Sequence, residues 1–141
     1  MPIKLVLDTS TIISAFFWRG NESELLKCIE QGKATCYLTK EILSELEDVI
    51  NRPKFNQVMK NAGLTPAQIM QKIISLSHII ITPTIKINIC RDVNDNKFLE
   101  CAESAKADYI VSGDADLLTL KEFQGIPVVT TRKILLLLKD S

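Results

Sequence analysis

The chain has 141 residues, the size of one domain, because halves would be too small to bury separate cores. Hydrophobic residues make up 46% and charged residues 24%, a balance that excludes a disordered or fibrous chain. The 17 Lys and Arg cancel the 17 Asp and Glu, which excludes a strongly basic nucleic-acid binder but leaves local basic patches open.

Short β-branched runs alternate with helical patterns, which predicts a parallel sheet with helices on its faces. Residues 3–7 (IKLVL) read as a first strand, apolar enough to be buried on both sides. Asn21-x-x-Glu24 is a capping-box-like start for a helix to about Gln31, with Gly32 as its stop. Residues 35–38 (TCYL) suit a second strand. Thr39 can cap the next helix, whose Ile42, Leu43, Leu46, Val49 and Ile50 form one apolar stripe before Arg52-Pro53 ends it. Thr65-Pro66-x-Gln68 opens a further helix to about Ser77. Residues 79–82 (IIIT) read as a strand, Asp95 to Ala105 as a helix, and Tyr109 to Val111 as a strand. Residues 127–130 (PVVT) make a last strand and 131–138 a closing helix, for about five strands and six or seven helices in one domain over residues 1–141.

The longest apolar run, Ile134 to Leu138, is five residues, whereas a membrane span needs roughly 20. With a start of MPIKLVLD and no signal segment, the expectation is a soluble cytoplasmic chain with no membrane partner. Cys28, Cys36, Cys90 and Cys101 form no Cys-x-x-Cys pair and the only histidine is His78. They read as reduced, partly buried thiols, and zinc is not expected.

The acids sit at informative places. Asp8 follows the first strand directly, and Asp114 and Asp116 follow the 109–111 strand after a Ser112-Gly113 turn. Open parallel sheets bind ligands beyond the carboxyl ends of strands, where the strand order reverses, so both ends share one crevice if those strands are neighbours. Asp92 and Asp95 lie just before the helix that feeds the second of them. Glu45 and Glu47 both border the apolar stripe and periodicity does not choose between them, while Glu41 and Asp48 point to solvent. Two unit charges about 4 Å apart repel by roughly 4 kcal/mol at an effective dielectric near 20. No Lys or His embedded in these motifs is expected to neutralise them, so a divalent cation is the expected compensator. Oxygen donors favour Mg²⁺ or Mn²⁺, which support phosphoryl chemistry. Each acid alone also has a purely structural reading: turn former for Asp8, helix cap for Asp95, solvated surface for Glu45, Asp114 and Asp116.

LVLDTS at 5–10, LSELEDVINRPKF at 43–55, RDVNDNKFLECA at 91–102 and YIVSGDADLL at 109–118 occur in this order, and together they resemble the PIN-domain family. The resemblance runs from Ile3 to about Leu138, and its branch is the toxins of type II toxin–antitoxin modules. It implies a three-layer α/β/α sandwich with a central, mostly parallel five-stranded sheet. It also implies a metal-dependent endoribonuclease in which a metal-activated water attacks phosphorus in line. Carried over residue by residue, the acids are Asp8, Glu45, Asp95 and Asp114 around one or two Mg²⁺ or Mn²⁺ ions, with Asp116 as a further ligand. Glu45 is taken over Glu47 because it precedes Leu46 in the E-L-x-x-V-I-x-R-P-K pattern. Asp92 is expected to order its loop, and Ser10 and Ser112 to support the acids. The chain departs from the pattern at Ser10, where many relatives carry Asn, and at Asn94, where relatives often carry another acid.

The expected substrate is single-stranded or looped RNA, and the expected partners are a small antitoxin over the groove and a second copy in a homodimer. Arg19, Arg52 and Lys54, with Lys60, Lys97 and Lys121 behind them, are the candidates for phosphate contacts, in a modest patch whose RNA affinity falls with salt. Phe16-Phe17-Trp18 reads as core or dimer surface ahead of base stacking, and His78 as structural. The rival readings are a catalytically silent PIN-like module that binds RNA or protein, and a metal-dependent phosphatase or DNA nuclease. An aspartate-nucleophile phosphatase needs Asp where Ser10 stands, and no GxxxxGK[ST] phosphate loop is present.

Overall fold

The strand at residues 3–7 organises the molecule because its end has no polar face. Leu5, Val6 and Leu7 are all buried, and successive strand residues point to opposite sides, so both faces of the sheet are covered. The computed structural model describes residues 2–81, 86, 88–90 and 92–139. In chain order the elements are β1 (Ile3–Leu7), α1 (Thr9–Phe17), α2 (Asn21–Glu30), β2 (Ala34–Thr39), α3 (Lys40–Ile50), a 3-10 turn (Pro53–Phe55), α4 (Asn56–Ala62), α5 (Pro66–Leu76) and β3 (Ser77–Ile80). A second 3-10 turn (Val93–Asp95) leads to α6 (Asn96–Ala105), β4 (Tyr109–Val111), α7 (Ala115–Leu118), β5 (Glu122–Phe123), β6 (Ile126–Val129) and α8 (Thr131–Lys139).

The sheet order is β3-β2-β1-β4-β6-β5. The chain moves outward from β1 through β2 to β3, then returns to the other side of β1 with β4. The strand order therefore reverses between β1 and β4, which pair in parallel with Val6 opposite Ile110 and Leu7 opposite Val111. The α/β class and the mostly parallel sheet agree with the sequence reading, but the strand count is six and not five. The sixth strand, β5, has two residues and runs antiparallel to β6. Gln124 and Gly125 turn between them with φ of 50° and 82°, the two positive angles of a tight hairpin turn. Two residues are too few to carry an alternating pattern, so β5 left no periodic trace.

Local signals account for most of the helices. Thr39 caps α3 by accepting from the Ile42 N–H at 3.2 Å, and Ile42, Leu46 and Ile50 are its fully buried face. Thr65 and Gln68 form both bonds of a capping box at the head of α5. The Asn21-x-x-Glu24 box does not form, because Gly20 is the N-cap and Asn21 already lies inside α2. Helix α1 was not marked by periodicity. Its Thr9, Thr11, Ile12, Ile13 and Ala15 are all buried, leaving only a narrow Ser10–Ser14 polar stripe, and β-branched residues are mediocre helix formers. Packing and the Asp8 cap make it a helix. Strand β3 begins at Ser77, ahead of the expected 79–82, and its His78 ring stacks on Tyr37 at 5.0 Å. Thr82 lies outside the described residues. Among the described residues no helix is long and apolar enough to cross a membrane.

Candidate active site

Polar burial is concentrated at one end of the sheet. Asp8, Thr9 and Thr11 after β1, Asp95, Asn96 and Lys97 at the head of α6, and Ser112 after β4 are all buried. Such groups are costly unless bonded, so their partners define the site.

Asp8 caps α1. Its Oδ1 accepts from the Thr11 N–H at 2.9 Å and from the Ser10 hydroxyl at 3.3 Å. Its Oδ2 accepts from the Ser112 hydroxyl, and its own N–H donates to the Val111 carbonyl at 3.1 Å. The Ser112 oxygen in turn accepts from the Asp114 N–H at 2.9 Å, and Asp114 Oδ1 accepts from the Asp116 N–H at 2.9 Å. One relay of hydrogen bonds thus ties both strand ends together. Ser10 and Ser112 both support Asp8, with Ser112 making the closer contact.

Asp95 stands in this crevice with a buried Oδ2 that has no hydrogen-bond partner. Carboxylate oxygens of Asp95, Asp114 and Asp116 lie within 4.8 Å of one another. Burial first, then the charges of Asp114 and Asp92, a side-chain hydrogen bond with Asp114 and the charge of Asp8 push the Asp95 carboxyl from 3.8 up to about 6. Three converging carboxylates, one of them with an orphaned buried oxygen, have the donor chemistry of a hard divalent cation site, so these residues fit Mg²⁺ or Mn²⁺. Cys90 lies near these acids, and burial with the charges of Asp95, Asp92, Asp114 and Asp116 pushes its thiol up to about 11; a hard cation prefers the oxygen donors to its sulfur.

Asp92 is exposed and accepts from the Asn94 N–H at 3.0 Å, ordering the turn before α6. Behind it, Asn96 Oδ1 accepts from the N–H groups of Ile89 and Cys90 at 3.2 and 2.9 Å. That bond pair, invisible as a motif, anchors the segment entering α6.

Glu45 is not one of the three converging carboxylates. Its Oε1 accepts from the Thr9 hydroxyl and its Oε2 lies 2.6 Å from the Lys97 ammonium. Lys97 also donates to the Asn94 carbonyl. This corrects two expectations. A lysine inside the motifs does neutralise one of the acids, and a buried Lys97 is not available to hold RNA phosphates. The signal was present, since Lys97 sits in a helix with Phe98, Leu99, Cys101 and Ala102 buried around it, where a cation needs a partner. Glu47, the alternative to Glu45, is exposed on the other border of α3.

Two depressions of about 420 Å³ each meet over Ser10 and Ser14 of α1. One is bordered by Ser112, Asp114, Thr130 and Arg132. The other is bordered by Glu45, Arg52, Lys54 and Trp18. Arg52 and Lys54 therefore share a groove with Glu45. Arg19, exposed beyond Trp18, borders neither, and Arg132 was not among the expected cations.

A family model described as "PIN domain" matches residues 4–116. An uncharacterized protein of Methanocaldococcus jannaschii is 35% identical over 123 residues, covering 86% of this chain and 77% of its own length.

Proposed function

The chain belongs to the PIN domain family, whose members are generally metal-dependent nucleases, and from that premise we propose that it is an endoribonuclease using Mg²⁺ or Mn²⁺. Two observations carry this reading together: Asp95 has a buried Oδ2 with no hydrogen-bond partner, and carboxylate oxygens of Asp95, Asp114 and Asp116 converge within 4.8 Å. In the proposal Asp95, Asp114 and Asp116, with Asp8 behind Ser112, hold the ion. When bound, it supplies Lewis acidity, lowering the pKa of the attacking water and offsetting charge on the phosphate.

The chain's own residues do the rest. Ser112 sets the Asp8 carboxylate and, through the Asp114 N–H, the loop that carries Asp114. Thr9 and Lys97 lock Glu45 at the groove wall, where it holds a fixed acceptor beside the path of the substrate. Burial and the neighbouring carboxylates hold the Asp95 carboxyl up at about 6, a cost that a bound cation would offset. The substrate is single-stranded or looped RNA, and the proposal includes an antitoxin that covers the groove and a homodimeric assembly.

The test is cleavage of a dye-labelled unstructured RNA with Mn²⁺, Mg²⁺ or EDTA, beside single-stranded DNA and p-nitrophenyl phosphate. RNA cleavage should need the metal and fall at least about 100-fold in Asp95→Asn and Asp114→Asn, the scale for loss of a charge-stabilising group. Cleavage that survives both substitutions, or that appears only with the phosphatase substrate, refutes the reading.

A further inference from the structure

We infer that the groove between α1 and α3 is a single-stranded RNA subsite in which Trp18 stacks a base and Arg52 and Lys54 hold the adjoining phosphates, about three helical turns from Asp8. The inference rests on the nuclease reading for its substrate class and adds the place where the strand is gripped.

The groove floor is one stripe of α1. Ser10, Ile13, Ser14 and Trp18 border it, and residues at spacings of three and four share a helix face. The wall is one stripe of α3 and the turn after it, with Glu45, Val49 and Arg52. Asp8 is the N-cap of α1 and Trp18 its C-cap, so at 1.5 Å per residue the two ends lie about 15 Å apart. Glu45 marks the end nearer the acids, and Trp18, Arg52 and Lys54 mark the other.

Trp18 is built as a platform. It is 53% exposed although it is apolar. Phe17 and Phe55 hold it edge-on at 5.9 and 6.2 Å, and those two rings stack on each other at 5.2 Å. Lys54 lies over the Phe55 ring at 5.1 Å, and among the described residues neither Arg52 nor Lys54 has a carboxylate partner. A rigid, exposed indole beside two unspent cations is the chemistry of a base flanked by phosphates. The same groove continues over Ser10 and Ser14 toward Asp114 and Arg132, so a strand held here is led past the acids. Apolar Ile13, Val49 and Phe55 line the groove with Trp18, but its one carboxylate, Glu45, is already paired with Lys97. The charge left over is that of Arg52 and Lys54, which favours a polyanion over a second copy of the chain.

Trp18 is the only tryptophan, so its emission reports the site alone. The full chain in EDTA is titrated with a 12-nucleotide unstructured RNA, with the matching duplex, and with buffer, while fluorescence anisotropy of labelled RNA gives affinity. Single-stranded RNA should quench the emission saturably and the duplex should not. Trp18→Ala should weaken binding roughly tenfold and Trp18→Phe should restore most of it. Arg52→Ala with Lys54→Ala should lower the slope of log affinity against log salt by about 1 to 1.5. Unchanged emission on RNA binding, equal affinity for Trp18→Ala, or no RNA binding at low salt overturns the subsite. Emission that shifts with protein concentration alone overturns it in favour of a second copy. The two readings fail separately. Metal-dependent cleavage with an unchanged KM in Trp18→Ala keeps the nuclease and removes the subsite. Quenching without cleavage in Mn²⁺ does the reverse.

Discussion

Asp95→Asn separates folding from metal binding. In the native protein the Asp95 carboxyl titrates near 6 instead of 3.8, so between those values the folded chain keeps a proton that the unfolded chain has lost. Stability of the metal-free protein therefore falls as pH rises from about 4 to 6, and the deficit is complete at neutral pH. That displacement from 3.8 to about 6 corresponds to about 3 kcal/mol, an upper figure because Asp114 and Asp116 are only half-buried and water screens them. Taking about 1–3 kcal/mol and an unfolding entropy near 2.1 cal/mol/K per residue, the variant should melt roughly 3–10 °C above wild type at pH 7.5 in EDTA. The gap should shrink to roughly a third of that by pH 4.5 and close only below about pH 3.8. Manganese should invert the order, because wild type gains about 4.1 kcal/mol at 1,000 times Kd and the variant gains little. The assay is thermal melting by circular dichroism at both pH values, with EDTA and with Mn²⁺. A variant melting at or below wild type at pH 7.5 in EDTA would refute the idea that Asp95 is held charged against burial and repulsion. Equal stabilisation of both proteins by Mn²⁺ would refute its place among the ligands.

Lys97→Met leaves Glu45 with only the Thr9 hydroxyl. With Glu45 still 31% exposed, the cost should be about 2 kcal/mol, below the range for a fully buried pair. Adding Glu45→Gln should recover much of it, and urea denaturation of the four proteins should give a coupling of at least about 1 kcal/mol, whereas additive effects would show the pair to be incidental. Ser112→Ala removes the hydroxyl that donates to Asp8 and accepts from the Asp114 N–H. A loss of about 1–3 kcal/mol in chemical denaturation is expected, and a change under about 0.5 kcal/mol would mean that the relay does not hold the strand ends. Burial pushes the Cys36 and Cys101 thiols up to about 12, and burial with nearby aspartates pushes Cys90 to about 11. Titration with a disulfide reagent at pH 8 should therefore find Cys28 alone reactive in the native chain and all four thiols in urea; fast reaction of a second native thiol would contradict the burial.

What could be read from the chain is what depends on neighbours within a few residues. The β1 run, the Thr39 and Thr65 caps and the α3 stripe announce themselves because a strand buried on both faces is an unbroken apolar run, a helix face recurs every three or four residues and a cap bonds three residues ahead. The same holds for the acids. Asp8 and Asp114 each directly follow a strand or its turn, and Asp95 opens a helix, so their neighbourhoods marked them as candidates. Elements without such a local pattern went unread: α1 has too many buried faces, and β5 is two residues long.

The pairings are another matter. Asp8 and Ser112 are 104 positions apart and Thr9 and Glu45 are 36 apart, and nothing in either segment names the other. Periodicity left Glu45 and Glu47 equal, and Lys97 looked like one more surface cation. Only the docking of α1, α3 and α6 around the β1–β4 switch turned Glu45 toward Thr9 and Lys97 and left Asp95 Oδ2 without a donor. Hydrogen bonds and ion pairs act over a few ångströms, so sequence can propose which groups are charged. Which charges meet, and which one is left to a cation, is decided by where the helices come to rest on the sheet.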